Sequence, residues 1–141
     1  MTDSPTNILI VDDLPEKILV YQSILGELGQ NLIAVQSGPD ALKQVLTHDF
    51  AVILLDVRMP GMDGFETAQL IRKRRSSAHT PIIFLTAFAD EVRSTPWYAT
   101  GAVDYIATPV MPEVLRAKVR VFVELFQMRQ QWLVGEMSKM R

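Results

Sequence analysis

Short runs of apolar residues alternate along this chain with stretches in which apolar residues recur every three or four positions. A short, continuous apolar run bounded by turn residues predicts a strand buried in a sheet, whereas the wider spacing predicts an amphipathic helix. On this basis the sequence predicts five strands, at residues 7–11, 32–35, 51–56, 81–85 and 103–107. Each predicted strand is followed by a stretch with helical spacing.

Capping and turn residues mark the limits of several predicted helices. Pro15 suits the first turn of the first helix, and Gly29 suits its end. Residues 37–40 have the form of a capping box and open a second helix. Its inward residues are predicted to be Ala41, Leu42, Val45 and Leu46. A third helix is predicted over residues 65–73, and the last one begins near Pro112.

The stretch predicted to form a fourth helix contains a proline. Pro96 would remove a backbone donor there and clash with the preceding turn. The sequence therefore predicts an irregular segment at residues 89–94. The helix is then expected to begin late, with Thr95 as its cap and Pro96 in its first turn.

The alternation of strands and helices predicts an α/β fold in which a parallel sheet carries helices on both faces. Right-handed crossover connections leave few topologies, and the flavodoxin-like strand order 2-1-3-4-5 is the natural one. The expected architecture is thus a (βα)5 three-layer sandwich with an extended C-terminal helix. In this order the first and third strands are neighbours.

Carboxylates follow these two strands. Asp12 and Asp13 come directly after the first apolar run, and Asp56 ends the third strand. Because ligands bind at the carboxyl edge of such sheets, the three side chains are expected to form one site. Like charges at close range repel one another, and a hard divalent cation, above all Mg²⁺, relieves the repulsion. Taken alone, Asp13 could simply cap the first helix.

Composition excludes several classes of function. The chain has 141 residues, is 48% hydrophobic and carries a net charge of −2, which indicates one globular domain. A near-neutral charge gives no reason to expect direct binding to nucleic acid or to an anionic membrane. No cysteine is present, so disulfides and thiolate sites are excluded. The apolar runs are too short to span a bilayer and the N-terminus is polar, which together predict a cytoplasmic location.

Further motifs follow the acidic residues in order. They read Leu-Asp-Val-Arg-Met-Pro-Gly-Met-Asp-Gly at residues 55–64, Leu-Thr-Ala at residues 85–87, and Gly-Ala-Val-Asp-Tyr-Ile at residues 101–106, with Pro109 beyond. Together with Asp12 and Asp13, they resemble the receiver domain of two-component response regulators over about residues 7–126.

This resemblance implies a set of roles. Asp56 would accept a phosphoryl group from a phosphohistidine on a sensor histidine kinase or a phosphotransfer protein. Mg²⁺ would be held by Asp12, Asp13, Asp56 and the backbone carbonyl of Arg58. Thr86 and the backbone at Ala87 would contact the phosphoryl group, and Tyr105 would change rotamer to signal to a downstream protein effector or domain. The protein would act on itself and turn over no external substrate.

One departure from the family pattern concerns the phosphoryl site. The family has a lysine before the final proline, and Thr108 occupies that place here. Thr108 can donate a hydrogen bond but carries no charge. The sequence leads to the hypothesis that the Arg58 guanidinium partly substitutes for this lysine after phosphorylation.

Two other functions compete with the phosphoryl acceptor. The first is a pseudo-receiver, which binds partners and is never phosphorylated; the missing lysine favours it. The second is an Mg²⁺-dependent phosphatase with Asp56 as nucleophile. That enzyme would need a general acid close after Asp56, and the nearest downstream carboxylate is Asp63, beyond the Pro-Gly turn.

The last helix is predicted to continue to at least Trp132 with apolar residues on two sides. One stripe comprises Leu115, Val119, Phe122, Phe126 and Leu133, and the other comprises Val121, Leu125, Met128 and Trp132. A helix that is apolar on two sides needs two partners. We expect a receiver domain at residues 1–126 and, at residues 127–141, a helical extension that forms a homodimer or leads into a further domain. The alternative is a frayed tail.

Overall fold

The structure, a computed structural model, describes residues 4–94 and 96–139, apart from the side chain of Glu91. The strands are Asn7–Val11 (β1), Asn31–Val35 (β2), Phe50–Asp56 (β3), Ile82–Thr86 (β4) and Asp104–Ala107 (β5). The helices are Pro15–Leu25 (α1), Gly38–Thr47 (α2), Gly64–Arg72 (α3), Ala89–Ser94 (α4) and Pro112–Lys139 (α5). Short 3₁₀ turns occupy Gly26–Leu28, Arg75–Ser77 and Trp97–Thr100. No predicted strand boundary differs from these by more than one residue.

All five strands pair in parallel in the order β2-β1-β3-β4-β5, which confirms the flavodoxin-like fold. Every residue of β3 is buried, as expected for a central strand covered on both faces. Val11 of β1 pairs with Leu55 of β3, so both strands reach the same level of the sheet one residue before their carboxylates.

The helices divide the core into two layers. One layer lies between the sheet and helices α1 and α5, and it includes Ile18, Leu25, Leu115 and Val119. The other lies between the sheet and helices α2 and α3, and it includes Ala41, Val45, Ala68 and Ile71. Burying apolar surface on both faces of the sheet is the main stabilising contribution to such a fold.

A glycine sets how closely α3 approaches the end of β3. A Cβ atom added at Gly64 would lie 2.2 Å from the backbone oxygen of Asp56. The Gly64 amide also donates a hydrogen bond of 2.8 Å to the carbonyl of Val57. Only a residue without a side chain allows this contact, which fixes the turn that follows Asp56 against the start of α3.

The expectation of an irregular segment at residues 89–94 is wrong, because α4 occupies them. The N–H of Val92 donates to the carbonyl of Phe88 at 3.0 Å, and the buried Val92 side chain holds this short helix on the core. Pro96 lies beyond the end of α4 and precedes the 3₁₀ turn, so its missing N–H costs α4 no hydrogen bond. The predicted cap Thr95 lies outside the described residues.

One further prediction about the core needs correction. Leu46 does not face inward, and 59% of it is exposed, because α2 directs Ala41 and Val45 to the core. On α5 the buried residues are Leu115, Val119 and Val123, and Leu133 is 41% exposed, as expected for the part of the helix beyond Phe126.

Among the residues that the structure describes, no helix combines the length and the apolar character that a membrane crossing requires.

Candidate functional site

Three carboxylates meet at the carboxyl edge of the sheet, as the sequence predicts. Oxygen atoms of Asp12, Asp13 and Asp56 all lie within 4.8 Å of one another. Asp12 and Asp56 are buried, and Asp13 is half-buried at the rim. The pairing of β1 with β3 produces this group, since each strand delivers its carboxylate one residue after the matched pair Val11 and Leu55.

The pKa of Asp56 is raised to about 6, mainly by burial and in addition by the nearby charge of Asp12. The Lys17 ammonium and a hydrogen bond from the Arg58 backbone N–H lower the pKa of this carboxyl, but they do not compensate fully. At neutral pH the Asp56 carboxyl is therefore mostly ionised, in an environment that stabilises its charge poorly. An ionised carboxylate of this kind is a suitable nucleophile.

The pKa of Asp12 is raised as well. Burial is the main cause that raises the pKa of its carboxyl, and the charge of Asp13 adds to it. The Leu14 N–H donates to Asp12 Oδ1 at 2.9 Å and acts in the opposite direction. This hydrogen bond also fixes the Asp12 side chain at the start of α1.

This donor set suits a magnesium ion. Three carboxylates lie together at the end of the sheet, and the pKa values of Asp12 and Asp56 are raised, mainly by burial and also by the neighbouring negative charges. Mg²⁺ prefers carboxylate oxygens, keeps several of its waters and would supply positive charge. Asp13, at the rim, leaves room for such waters.

Thr86 and Thr108 lie next to each other at the ends of the neighbouring strands. Thr86 is 1% exposed, and its Oγ1 accepts a hydrogen bond of 2.8 Å from the Phe88 N–H, which leaves its own hydroxyl proton to donate. The Thr108 N–H donates to the Thr86 carbonyl at 2.9 Å, and the bond from Thr108 to Pro109 is cis. Ala87, directly after Thr86, is exposed.

A cleft of about 450 Å³ separates α1 from the turn after β5, and we call it the α1–β5 cleft. Its lining residues are Glu16, Lys17, Val20, Tyr21, Ala87, Thr108, Pro109 and Val110. A long side chain at position 108 would extend into this space, which the short Thr108 leaves open.

Tyr105 lies on β5, half-buried, away from the carboxylates. Its ring packs edge-on against Trp97 with centroids 5.4 Å apart. A change of rotamer would therefore disturb the 3₁₀ turn that follows α4, and the predicted switching role of Tyr105 stays a prediction.

Arg58 contacts an aromatic ring. Its guanidinium carbon lies 4.1 Å from the centroid of the Phe88 ring, which is a cation–π contact. The sequence hypothesis requires the same guanidinium to bind a phosphoryl group on Asp56. The hypothesis stays a prediction, as does the role of its backbone carbonyl as a metal ligand.

Sequence reasoning missed two residues of α1 that act on the site. Lys17 lowers the pKa of both Asp12 and Asp56 by its charge. Tyr21 is buried one turn further on, and its pKa is raised by burial and then by the charges of the same two carboxylates. Their spacing of four residues places both on one helix face, but only the packing of α1 on the sheet shows that this face meets the carboxylates.

The family model for the response regulator receiver domain matches residues 8–120. The chain belongs to this family. It is a receiver of two-component signal transduction. Among curated proteins, the sensor histidine kinase GacS of Pseudomonas protegens is 36% identical over 106 residues, which are 73% of this chain and 12% of that protein. The chain spans about half the length or less of the curated relatives that it matches.

Two solved structures are similar throughout the fold. A receiver domain of a sensor histidine kinase from Pseudomonas aeruginosa PAO1, with a magnesium ion in its active site cleft, has a TM-score of 0.79 and 29% identity, covering 86% of this chain and 99% of that one. A response regulator from Thermotoga maritima in complex with Mg²⁺ and beryllium fluoride has a TM-score of 0.75 and 31% identity, covering 83% and 98%. Both likenesses agree with the receiver fold, and both of those structures contain magnesium.

We expect weak Mg²⁺ binding that depends on Asp13. Asp13→Asn should lose most of the Mg²⁺ response in calorimetry or an NMR titration, because it removes one charged ligand at the rim and disturbs little packing. Asp49→Asn is the matched control, since Asp49 is exposed at the opposite end of β3. Equal Mg²⁺ responses in wild type and Asp13→Asn would show that the proposed metal site is wrong.

We expect Asp56 to make the metal-free protein less stable as the pH rises. Its pKa is about 6 in the folded chain against an ordinary value of 3.8. Between these values the folded chain keeps a proton that the unfolded chain releases, so the free energy of unfolding falls from about pH 4 to about pH 6 and then levels off. Asp56→Asn removes this cost and should be more stable than wild type at pH 7 by up to about 3 kcal/mol.

Urea unfolding in EDTA at pH 4 and pH 7 measures this effect. The advantage of Asp56→Asn over wild type should nearly vanish at pH 4, where the native carboxyl is already neutral. Asp49→Asn serves again as the control for loss of an exposed charge. An advantage of the same size at both pH values would contradict the assignment of the effect to Asp56 ionisation.

Proposed function

We propose that Asp56 is the phosphoryl acceptor of this receiver and takes the group from a phosphohistidine on a sensor histidine kinase or a phosphotransfer protein. The observation that carries the proposal is the ionised, poorly compensated Asp56 carboxylate, buried beside Asp12 at the end of the central strand. A magnesium ion would supply positive charge that this carboxylate and the incoming phosphoryl group both need.

The reaction is an in-line transfer. One carboxylate oxygen of Asp56 forms a new O–P bond while the P–N bond to the donor histidine breaks, and the electron pair of that bond returns to the ring nitrogen. A magnesium ion held by Asp12, Asp13, Asp56 and the Arg58 carbonyl would neutralise charge on the phosphoryl oxygens. The Thr86 hydroxyl is within reach of the same edge of the sheet and would donate a hydrogen bond to the transferred group.

Ala87 and Tyr105 would connect the site to the rest of the domain. Ala87 is exposed beside Thr86, and its small side chain leaves the backbone accessible to the phosphoryl oxygens. If Thr86 moves toward the phosphoryl group, the space beside β4 changes and Tyr105 on the paired strand β5 can take a new rotamer. The signal would pass to a protein partner by contact, and no turnover of an external substrate is proposed.

Two features of the proposal concern the whole protein. Its partners are a phosphohistidine donor and a downstream effector protein or domain, and its location is the cytoplasm, where such donors present their phosphohistidine. The unit at residues 1–126 is the receiver, and residues 127–141 continue α5 as a dimer or signalling helix.

Phosphorylation of Asp56 is directly measurable. After incubation with acetyl phosphate and Mg²⁺, wild type should gain the mass of one phosphoryl group, and Asp56→Asn should not. Asp63→Asn is the matched control, because Asp63 lies after the same strand and caps α3 outside the acidic group. If wild type gains no mass, the proposal fails, and the pseudo-receiver, which binds partners without phosphorylation, becomes the better account.

The exposed stripe of α5 predicts self-association. Val121, Leu125, Met128 and Trp132 are 50–64% exposed and follow one another at spacings of four, three and four residues. That spacing is the seam of a two-helix coiled coil. Leu125→Lys should therefore shift the protein toward monomer in sedimentation equilibrium.

Val134→Lys is the control for this experiment. Val134 is 63% exposed and lies nine residues beyond Leu125, which places it on the opposite side of α5. This substitution should leave the association unchanged. A wild-type protein that is monomeric at all concentrations, or an equal shift in both variants, would contradict the predicted dimer.

A further inference from the structure

The proposed phosphoryl site has one cation fewer than the family pattern provides, because Thr108 takes the place of the lysine. Thr108 lines the α1–β5 cleft. Thr108 is half-buried on one wall of this cleft, beside Ala87. Its backbone is fixed by the hydrogen bond to the Thr86 carbonyl, and its short side chain carries no charge. Phosphoryl oxygens on Asp56 would have Mg²⁺ and the Thr86 hydroxyl as partners, but no positive side chain from β5.

Lys17 lies on the other wall of the same cleft. It is the third residue of α1, at the carboxyl end of β1 and thus at the edge of the sheet that carries the acidic group. One turn further along the same face, the buried Tyr21 lines the same cleft. The helix row that contains Lys17 therefore faces the cleft, and Lys17 itself is half-buried.

The position of Lys17 along the chain points the same way. Lys17 lies four residues after Asp13, and the Leu14 N–H just before α1 holds the Asp12 carboxylate, so the lysine starts close to the acidic group. Arg58, the other cation near Asp56, already stacks on Phe88. A lysine ammonium on a flexible stem can reach across an open cleft without giving up such a contact.

We propose that Lys17 supplies, from α1, the positive charge that Thr108 does not provide, and that its ammonium binds the phosphoryl oxygens on Asp56 across the α1–β5 cleft. The inference rests on the proposed function, since it names a further residue of that phosphoryl site. Because this cation would come from α1 and not from β5, phosphorylation of Asp56 would also change the contacts made by the α1 surface.

If Lys17 has this role, its removal should have opposite effects on the binding of Mg²⁺ and of a phosphoryl analogue. Removal of a residue with only a structural role would not. Without a phosphoryl group, the Lys17 ammonium and Mg²⁺ compete for the same carboxylates, so Lys17→Ala should bind Mg²⁺ more tightly than wild type. With beryllium trifluoride as the phosphoryl analogue, the ammonium contributes attraction, so Lys17→Ala should bind it about tenfold more weakly. Lys17→Arg should keep most of the affinity.

The test is a titration with Mg²⁺ alone and then with beryllium trifluoride at saturating Mg²⁺, followed by fluorine NMR. Lys43→Ala is the matched control, because Lys43 is a helical lysine whose side chain is 78% exposed. Arg58→Ala tests the alternative cation. In the Thr108→Lys background, the effect of Lys17→Ala should shrink below about twofold, because two residues then serve one group.

Each other outcome overturns the inference in a distinct way. If Lys17→Ala behaves like Lys43→Ala, Lys17 does not contact the phosphoryl group. If Lys17→Ala weakens Mg²⁺ and beryllium trifluoride equally, its role is structural, and if only Arg58→Ala weakens the analogue, Arg58 is the missing cation. If wild type neither binds the analogue nor accepts a phosphoryl group on Asp56, the proposed function fails and the inference with it.

Discussion

The burial of carboxylates at the carboxyl edge of an apolar sheet, where they also repel one another, is the constraint on which this molecule depends. The buried strands β1 and β3 bring Asp12 and Asp56 together, and burial removes much of the water that would otherwise stabilise their charges. The raised pKa of Asp56 is the consequence. The fold therefore maintains a site whose electrostatic balance changes when positive charge or a phosphoryl group arrives.

The surrounding elements keep that site rigid on one side and adjustable on the other. Gly64 lets α3 contact the backbone of Asp56 directly, and Leu14 fixes Asp12 by a backbone hydrogen bond. On the opposite side, Thr108 leaves a cleft beneath α1. The cation that this family usually carries on β5 is absent, so the side chains of α1 and of the loop after β3 become the available sources of positive charge.

Much of this arrangement follows from local sequence. Continuous apolar runs gave the strands to within one residue, because a strand buried on both faces tolerates few polar residues. The alternation of strand and helix, together with crossover handedness, gave the sheet order, and the order made Asp12, Asp13 and Asp56 neighbours. The sequence by itself thus determined the fold and the acidic group.

Tertiary packing decided the rest. Val92 anchors α4 where local signals from Pro96 predicted irregular backbone, and the helix simply ends before the proline. Helical spacing shows that Lys17 and Tyr21 share a face but not what that face meets, since the rotation of α1 about its axis is set by the whole core. The contact of Arg58 with Phe88 joins two loops distant in sequence, and no local pattern encodes such a pairing.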